Sequence, residues 1–397
     1  MGKILRMSLA AASASVLAFA IDADPGRSIE KLPDGVGNAR SPTEYRASVG
    51  NLRDLPTARE HAATISAMAP TKRRRPRIAI LGQNEGAETT DFLIPYGVLK
   101  RSGVADVFAL SMSEGLLKLM PAITIAPEST VADFDQRFPD GADYVIVPAL
   151  HNVREPRVLA WLKAQASKGA VIVGICSGVQ TVAAAGLLKG RRATGHWYDI
   201  QSLKKDYPEV RWTQNRRYIA DTGVVTTSGI SASIPVSLAL VEAIAGRPEA
   251  ERMAHELGVD GWGEGHDGTR FRFAAEVKWK IAGNVLAFWN WETFGIPIET
   301  GVDEISLALN ADAWSRTYRS KAVTVAVRPG IVRSRGGIQI IPDQLAVKSK
   351  ALPLPRPSRG TPGRTVPAAL GDIQARYGRK TALFVAAQLE YPWGAFE

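Results

Sequence analysis

Short apolar runs recur through the middle of the chain, and helical spacing follows most of them. "RIAILG" (77–82), "VADVFAL" (104–110), "ADYVIVPAL" (142–150), "AVIVGI" (170–175) and "GVVTTSG" (223–229) each read as a strand. "AVIVGI" is apolar on both faces, as a central strand of a covered parallel sheet must be. Between the runs, "FLIPYGVLKRSG" predicts a helix with its proline near the start. Pro156 opens another, with Val158, Leu159, Leu162 and Ala166 on one face and Gly169 at its end. Val179, Val182, Ala183, Gly186 and Leu187 mark a third, and "IPVSLALVEAIAG" a fourth. Strands alternating with helices imply right-handed βαβ units, so residues 77–250 are expected to form a doubly wound α/β sandwich with a mostly parallel sheet.

The flanks read differently. Residues 21–76 carry no sustained strand pattern and read as a linker, with one short helix around "TAREHAATISAMA". Residues 251–397 predict a smaller α+β domain or extension. Within it, "RFRFAAEVKWKIAGNVLAFW" alternates in places like strands, and "VDEISLALNADAWSRTY" is helical. "AVTVAV" and "IVRSRGGIQII" read as strands, "LPLPRPSRGTPGRT" as a loop, and "GDIQARYGRKTALFVAAQLEYPW" as a returning helix. At the other end, Lys3 and Arg6 precede the apolar run "MSLAAASASVLAFA", which closes on the small residues Ala18 and Ala20. That is the layout of a secretory signal peptide over residues 1–20. The run is shorter than the roughly 20 residues a membrane span needs, so no stable membrane insertion is expected after cleavage.

Composition refines this reading. At 397 residues, 45% hydrophobic and 22% charged, the chain has material for a large core. The net charge of +10 is partly local: "KRRRPR" (72–77) holds five cations, and residues 344–371 hold five more without an acid. Both stretches read as solvated loops, so nucleic acid is not expected as a partner. Five scattered histidines and one cysteine offer no metal-ligand spacing, and no dinucleotide or phosphate-loop motif occurs, so no metal or other cofactor is expected.

The single cysteine is the chemical signal. Cys176 lies in "GICSG" (174–178), between a predicted strand and a predicted helix. Glycines on both sides of such a turn let it fold tightly and lift the central side chain to the carboxyl edge of the sheet, as in a nucleophile elbow. A helix starting near Ser177 would favour the thiolate, whose pKa can fall from about 8.5 to roughly 3.5–7.5 in such settings. The Ser177 N–H would face a developing oxyanion. A low-pKa Cys176 is therefore expected. The bland alternative is a small buried hydrophobe at a strand end.

The longer stretch "GICSGVQTVAAAGLLKGRRATGHW" (174–197) resembles the DJ-1/PfpI family of the class I glutamine amidotransferase-like superfamily, and within it the branch of isocyanide hydratases and the amidase-like domain of AraC-type regulators. "TTDFLIPYGVL" (89–99) is similar to that branch's early Asp with Pro four residues later, which picks out Asp91. "TTSGISASIPVSLALVEAIAG" (226–246) is similar to its pocket-closing segment, which places Ser231 at the pocket. The resemblance covers about 77–250 and implies a flavodoxin-like fold, Cys176 as nucleophile, Asp91 as its neighbouring acid, and a homodimer. It makes an N–H of Ala149 or Leu150 the second oxyanion donor, although the family usually has glycines there. It offers Glu88 as a substitute for Asp91, whose plain structural role would be a helix N-cap. His151, just after the third strand, is a local acid/base candidate, and His196 in the "RATGHW" turn is expected to pack rather than act as base. The position after the cysteine, histidine in proteolytic members, is Ser177 here, and no His-x-Glu completes a glutaminase triad.

These features predict an exported cysteine-dependent hydrolase, hydratase or lyase acting on a small molecule. A non-catalytic ligand- or redox-sensing domain is the alternative. A DNA-binding regulator fits least, since the C-terminal region lacks a helix-turn-helix pattern.

Overall fold

The computed structural model describes residues 57–70, 72–271, 290–354 and 361–393. The signal-like stretch, most of the linker and nearly all of "RFRFAAEVKWKIAGNVLAFW" lie outside the described residues.

A seven-stranded sheet forms the centre, and its strand order shows the crossovers of a doubly wound fold. Tyr144–Val147 and Val171–Gly174 lie in its middle, and every residue of both is buried. Arg77–Gly82, Asp106–Ser111 and Ser129–Thr130 extend it on one side, all in parallel register. On the other side Val224–Thr227 pairs in parallel with Val171–Gly174, and Tyr218–Asp221 closes the edge antiparallel. Helices Thr89–Ser102, Pro156–Ser167 and Gly178–Ala184 lie in the connections and Ser233–Ala245 follows the sheet's last strand, so the α/β class and most strands follow the periodicity.

Two local expectations are corrected. The helix after the first strand begins at Thr89, not Phe92, because Glu88 caps it by accepting the Asp91 N–H at 2.6 Å; Pro95 therefore sits inside the helix. The basic run at 72–77 is not a solvated loop. Lys72 Nζ donates to the Ala142 carbonyl at 2.5 Å, and Arg73 pairs with the buried Asp143 at 2.5 Å. Arg75 pairs with Asp106 at 2.7 Å and Arg77 with Asp140 at 2.8 Å. The run ties the entry of the first strand to the loop at 140–143.

The C-terminal elements join the same hydrophobic core. Glu292–Ile298 and Ser320–Ala326 centre a four-stranded parallel sheet. Val332–Arg333 and Gln339–Ile341, around the Gly-Gly turn, extend a sheet made by Leu117–Met120 and Thr124–Ala126. Helix Glu304–Ser315 packs on helix Thr89–Ser102, where buried Arg101 meets Asp303 at 2.8 Å and Glu304 at 2.9 Å. The expected last helix is two, Thr365–Tyr377 and Arg379–Gln388, broken at Gly378 with φ +86°.

Candidate active site around Cys176

Cys176 stands on the elbow between strand Val171–Gly174 and helix Gly178–Ala184, with φ +52°. Only a few per cent of non-glycine residues adopt that region, and they cluster where a fold holds a functional side chain. Gly178 makes the turn feasible: a Cβ there would lie 2.1 Å from the Val147 carbonyl oxygen. The Cys176 N–H donates to Thr227 Oγ1 at 3.0 Å, which pins the elbow to the neighbouring strand. The side chain is 6% exposed.

Asp91, in the first turn of helix Thr89–Ser102, is completely buried. Its Oδ2 accepts the Ala149 N–H at 3.2 Å, and its Oδ1 has no partner among the described residues. Glu88, not Asp91, is the helix cap. Glu88 also accepts from Thr90 at 2.7 Å and from Arg316 Nη2 at 3.0 Å. Arg316 Nε in turn donates to both oxygens of Asp312 at 2.8 Å. Three carboxyls and one guanidinium thus share a buried corner, two of the four groups arriving from helix Glu304–Ser315 and its end.

Burial, then the Asp312 charge, pushes Glu88 up to about 7, against the pull of Arg316. Burial and the Glu88 charge push Asp91 well above the carboxylate range. Asp312 is raised by burial despite Arg316. The expected low-pKa thiolate is corrected by the same surroundings. Burial first, then the charges of Asp91, Glu88, Asp199 and Glu390, raise the Cys176 thiol. Four carboxyls act upward on the sulfur, and the helix that follows has only seven residues.

The other sequence candidates separate. The Ala149 N–H is engaged by Asp91, whereas those of Leu150 and Ser177 make no hydrogen bond among the described residues. The Ser177 hydroxyl donates to Asp199. His196 Nε2 donates to the Gln388 carbonyl at 3.1 Å, and Nδ1 accepts the Tyr198 N–H at 3.2 Å, which assigns the Nε2–H form and a packing role. Ser231 donates to the Glu390 carbonyl at 2.8 Å. His151 is exposed and lines a cavity of about 560 Å³ with Arg154, Gln180, Asp206 and Tyr207. Cys176 is not part of that cavity's lining, so this cavity and the chemistry lie apart.

Sequence reasoning missed the C-terminal contribution. Glu390, with φ +50°, inserts its carboxylate between the Trp197 and Gly229 N–H groups, each at 2.6 Å, and His266 Nε2 at 3.0 Å. A Cβ on Gly229 would meet Glu390 Cγ at 2.7 Å. Burial acts upward on Glu390, but the His266 hydrogen bond and the Gly229 N–H hold it down at about 2. No local signal marks Arg316, Asp312, His266 or Glu390 as site residues. Among the described residues no group of His, Cys, Asp and Glu is arranged to hold a metal, and no helix is long and apolar enough to cross a membrane.

A parallel α/β sheet with a cysteine at its elbow and a buried acid from the first helix defines a class of cysteine-elbow proteins. Residues 76–243 match the model of the DJ-1/PfpI family. The HTH-type transcriptional regulator CdhR of Pseudomonas aeruginosa is 38% identical over 86 residues, 22% of this chain and 25% of that protein. The isonitrile hydratase of Pseudomonas putida is 28% identical over 121 residues, 29% of this chain and 51% of that protein. The chain thus spans a quarter of the length of the first relative and about half of the second. The solved structure of Drosophila melanogaster DJ-1beta is 22% identical with a TM-score of 0.41, covering 47% of this chain and 98% of its own.

Proposed function

We propose that the protein is a cysteine-dependent hydratase, hydrolase or lyase for a small electrophilic molecule, with Cys176 as nucleophile and Asp91 as proton carrier. One observation carries this reading: the unpartnered, fully buried Asp91 Oδ1 in the electrostatic neighbourhood of a cysteine held at φ +52°. A buried orphaned carboxyl oxygen is costly unless a ligand or a proton transfer uses it. Cys176 and Asp91 titrate as a coupled pair, and the reactive form is the pair lacking one proton. In that form sulfur attacks an electrophilic carbon while Asp91 holds the proton. The S–C bond forms, and Asp91 passes its proton to the atom that takes up the electron pair. Water then adds to the carbon, the S–C bond breaks, and the proton returns to the pair. The open N–H groups of Ser177 and Leu150 are the donors available to the developing charge.

Mass-spectrometric screening for adducts on Cys176 against a panel of isonitriles, amides and 2-oxoaldehydes tests the reading. Turnover disappears in Cys176→Ser. In Asp91→Asn, the pH midpoint of Cys176 alkylation shifts, because the group that shares the proton with the thiol is gone. No adduct from any class, with an unmoved midpoint, would leave an inert thiol.

A second reading, a ligand- or redox-sensing domain, draws on the raised thiol and on the C-terminal segment seated over Gly229. The same adduct screen separates the two, since a sensor forms a stable adduct without turnover.

We further propose export and a two-fold dimer. The N-terminal charge and apolar pattern supports the first, and the family assignment supports the second. Native mass spectrometry of a periplasmic extract should find a protein beginning near Ile21 with twice the chain mass. An intact Met1 would overturn export, and a single-chain mass the dimer.

A further inference from the structure

The guanidinium of Arg316 is held on two sides and open on the third. Nε binds both oxygens of Asp312, Nη2 binds Glu88, and Nη1 makes no hydrogen bond among the described residues. Nη1 is also not among the occluded unpartnered atoms, and 22% of the side chain is exposed, so this edge faces accessible space. Cys176 lies within its electrostatic reach, and so does Asp91 with its orphaned Oδ1. A planar guanidinium whose rotamer is fixed by two carboxyls presents its remaining N–H bonds in a set direction, at little further entropic cost on binding. The residue comes from the end of helix Glu304–Ser315, outside the stretch that matches the family, and the Gln388 amide fixes its carbonyl at 3.0 Å.

We propose that the Nη1 edge of Arg316 receives a carboxylate of the ligand that reaches Cys176, so the substrate class is a small electrophile carrying a carboxylate next to its reacting carbon. This rests on the cysteine-nucleophile reading above. The balance of charge supports it. Burial and the Glu88 charge raise the Asp91 carboxyl well above its ordinary range, and Glu88 takes up a proton as pH falls through about 7. Below that pH, Arg316 loses the Glu88 counter-charge, and an incoming carboxylate replaces the attraction that Glu88 gives up. Binding therefore tightens as pH falls through 7. A cationic ligand would find its approach opposed by the same guanidinium, and a neutral one would leave the open donors without a charged acceptor.

Two alkylating agents of nearly equal size test this: iodoacetate carries the carboxylate and iodoacetamide does not. In both, the Cys176 sulfur displaces iodide, forming the S–C bond as the C–I bond breaks, and the thiol proton leaves to Asp91 or solvent. The expected result at pH 6 is a rate ratio, iodoacetate over iodoacetamide, about tenfold higher for the native protein than for Asp312→Asn/Arg316→Gln, the size of one charge-assisted hydrogen bond. The double substitution avoids stranding Asp312 unpaired, and Arg316→Lys, which keeps the charge and loses the fork, should fall between. Equal ratios in all three proteins overturn the carboxylate assignment while leaving the nucleophile in place. If neither reagent labels Cys176, the nucleophile reading fails, and the carboxylate site is read separately by calorimetry of acetate with Cys176→Ser at pH 6, against chloride at equal ionic strength. A single acetate site lost in Cys176→Ser/Asp312→Asn/Arg316→Gln supports the assignment; absence of binding overturns it.

Discussion

Two buried carboxyls near Cys176 titrate in opposite directions, and the difference lies in their neighbours. Glu88 accepts from the Asp91 N–H, Thr90 and Arg316, but burial and the Asp312 charge beside it win, at about 7. Glu390 has two backbone N–H groups and a histidine aimed at it, and they win, at about 2. The sign for stability follows. The Glu390 carboxyl is depressed below its ordinary value of 4.5, so the native state prefers its ionised form. Its contribution is present above pH 4.5 and is lost as pH falls toward 2. Glu390→Gln should therefore cost about 2 kcal/mol at pH 7, the scale of hydrogen bonds to a charged group. The deficit should shrink between pH 4.5 and 2.5. Urea unfolding of both proteins at several pH values reads this, and a deficit that stays constant with pH would show that Glu390 is not held as a carboxylate. Cys176 and Asp91 were legible because each sits in a short motif. Glu390 and Arg316 were not, because their partners lie 161 and 228 residues away in sequence and no periodicity records such a pairing.

At the scale of elements, burial made the sheet legible and side-chain pairing hid the rest. Strands Tyr144–Val147 and Val171–Gly174 are buried on both faces, so their sequences are apolar throughout. The helix start at Thr89 was missed because its first turn, Thr-Thr-Asp, is polar. That turn is nevertheless buried, since it faces the carboxyl corner rather than solvent. The basic run at 72–77 was misread for a related reason: a cluster of cations looks solvated until its carboxylates, Asp140 and Asp143, are seen to lie across from it. Gly378 broke a helix that the apolar spacing alone carried through, by taking φ +86°.

For the whole molecule, the question is whether the family-matching part folds without the C-terminal region. Three buried ties argue that it does not. Arg101 has Asp303 and Glu304 as its ion-pair partners, both beyond residue 300. Glu88 binds Arg316, and the Gly229 N–H binds Glu390. Removing the C-terminal region would leave Arg101 charged and unpaired in an apolar setting, a loss that typically costs about 3–5 kcal/mol for a single broken buried pair. It would also expose the face of helix Thr89–Ser102 that now packs on helix Glu304–Ser315. Those losses are comparable to the whole stability of an ordinary domain, roughly 5–15 kcal/mol. The described residues should therefore unfold in one cooperative step. Far-ultraviolet circular dichroism and tryptophan fluorescence, followed through the same urea titration, should give coincident curves. The chain suits this comparison, because Trp161 and Trp212 lie in the family-matching part while Trp314 lies in the C-terminal helix. A second probe sharpens it: a chain ending at Gly258 should show no cooperative transition, whereas a folded fragment of that length, or two separated transitions in the full chain, would establish two independent units and make the Arg316 and Glu390 contacts an interface rather than a core.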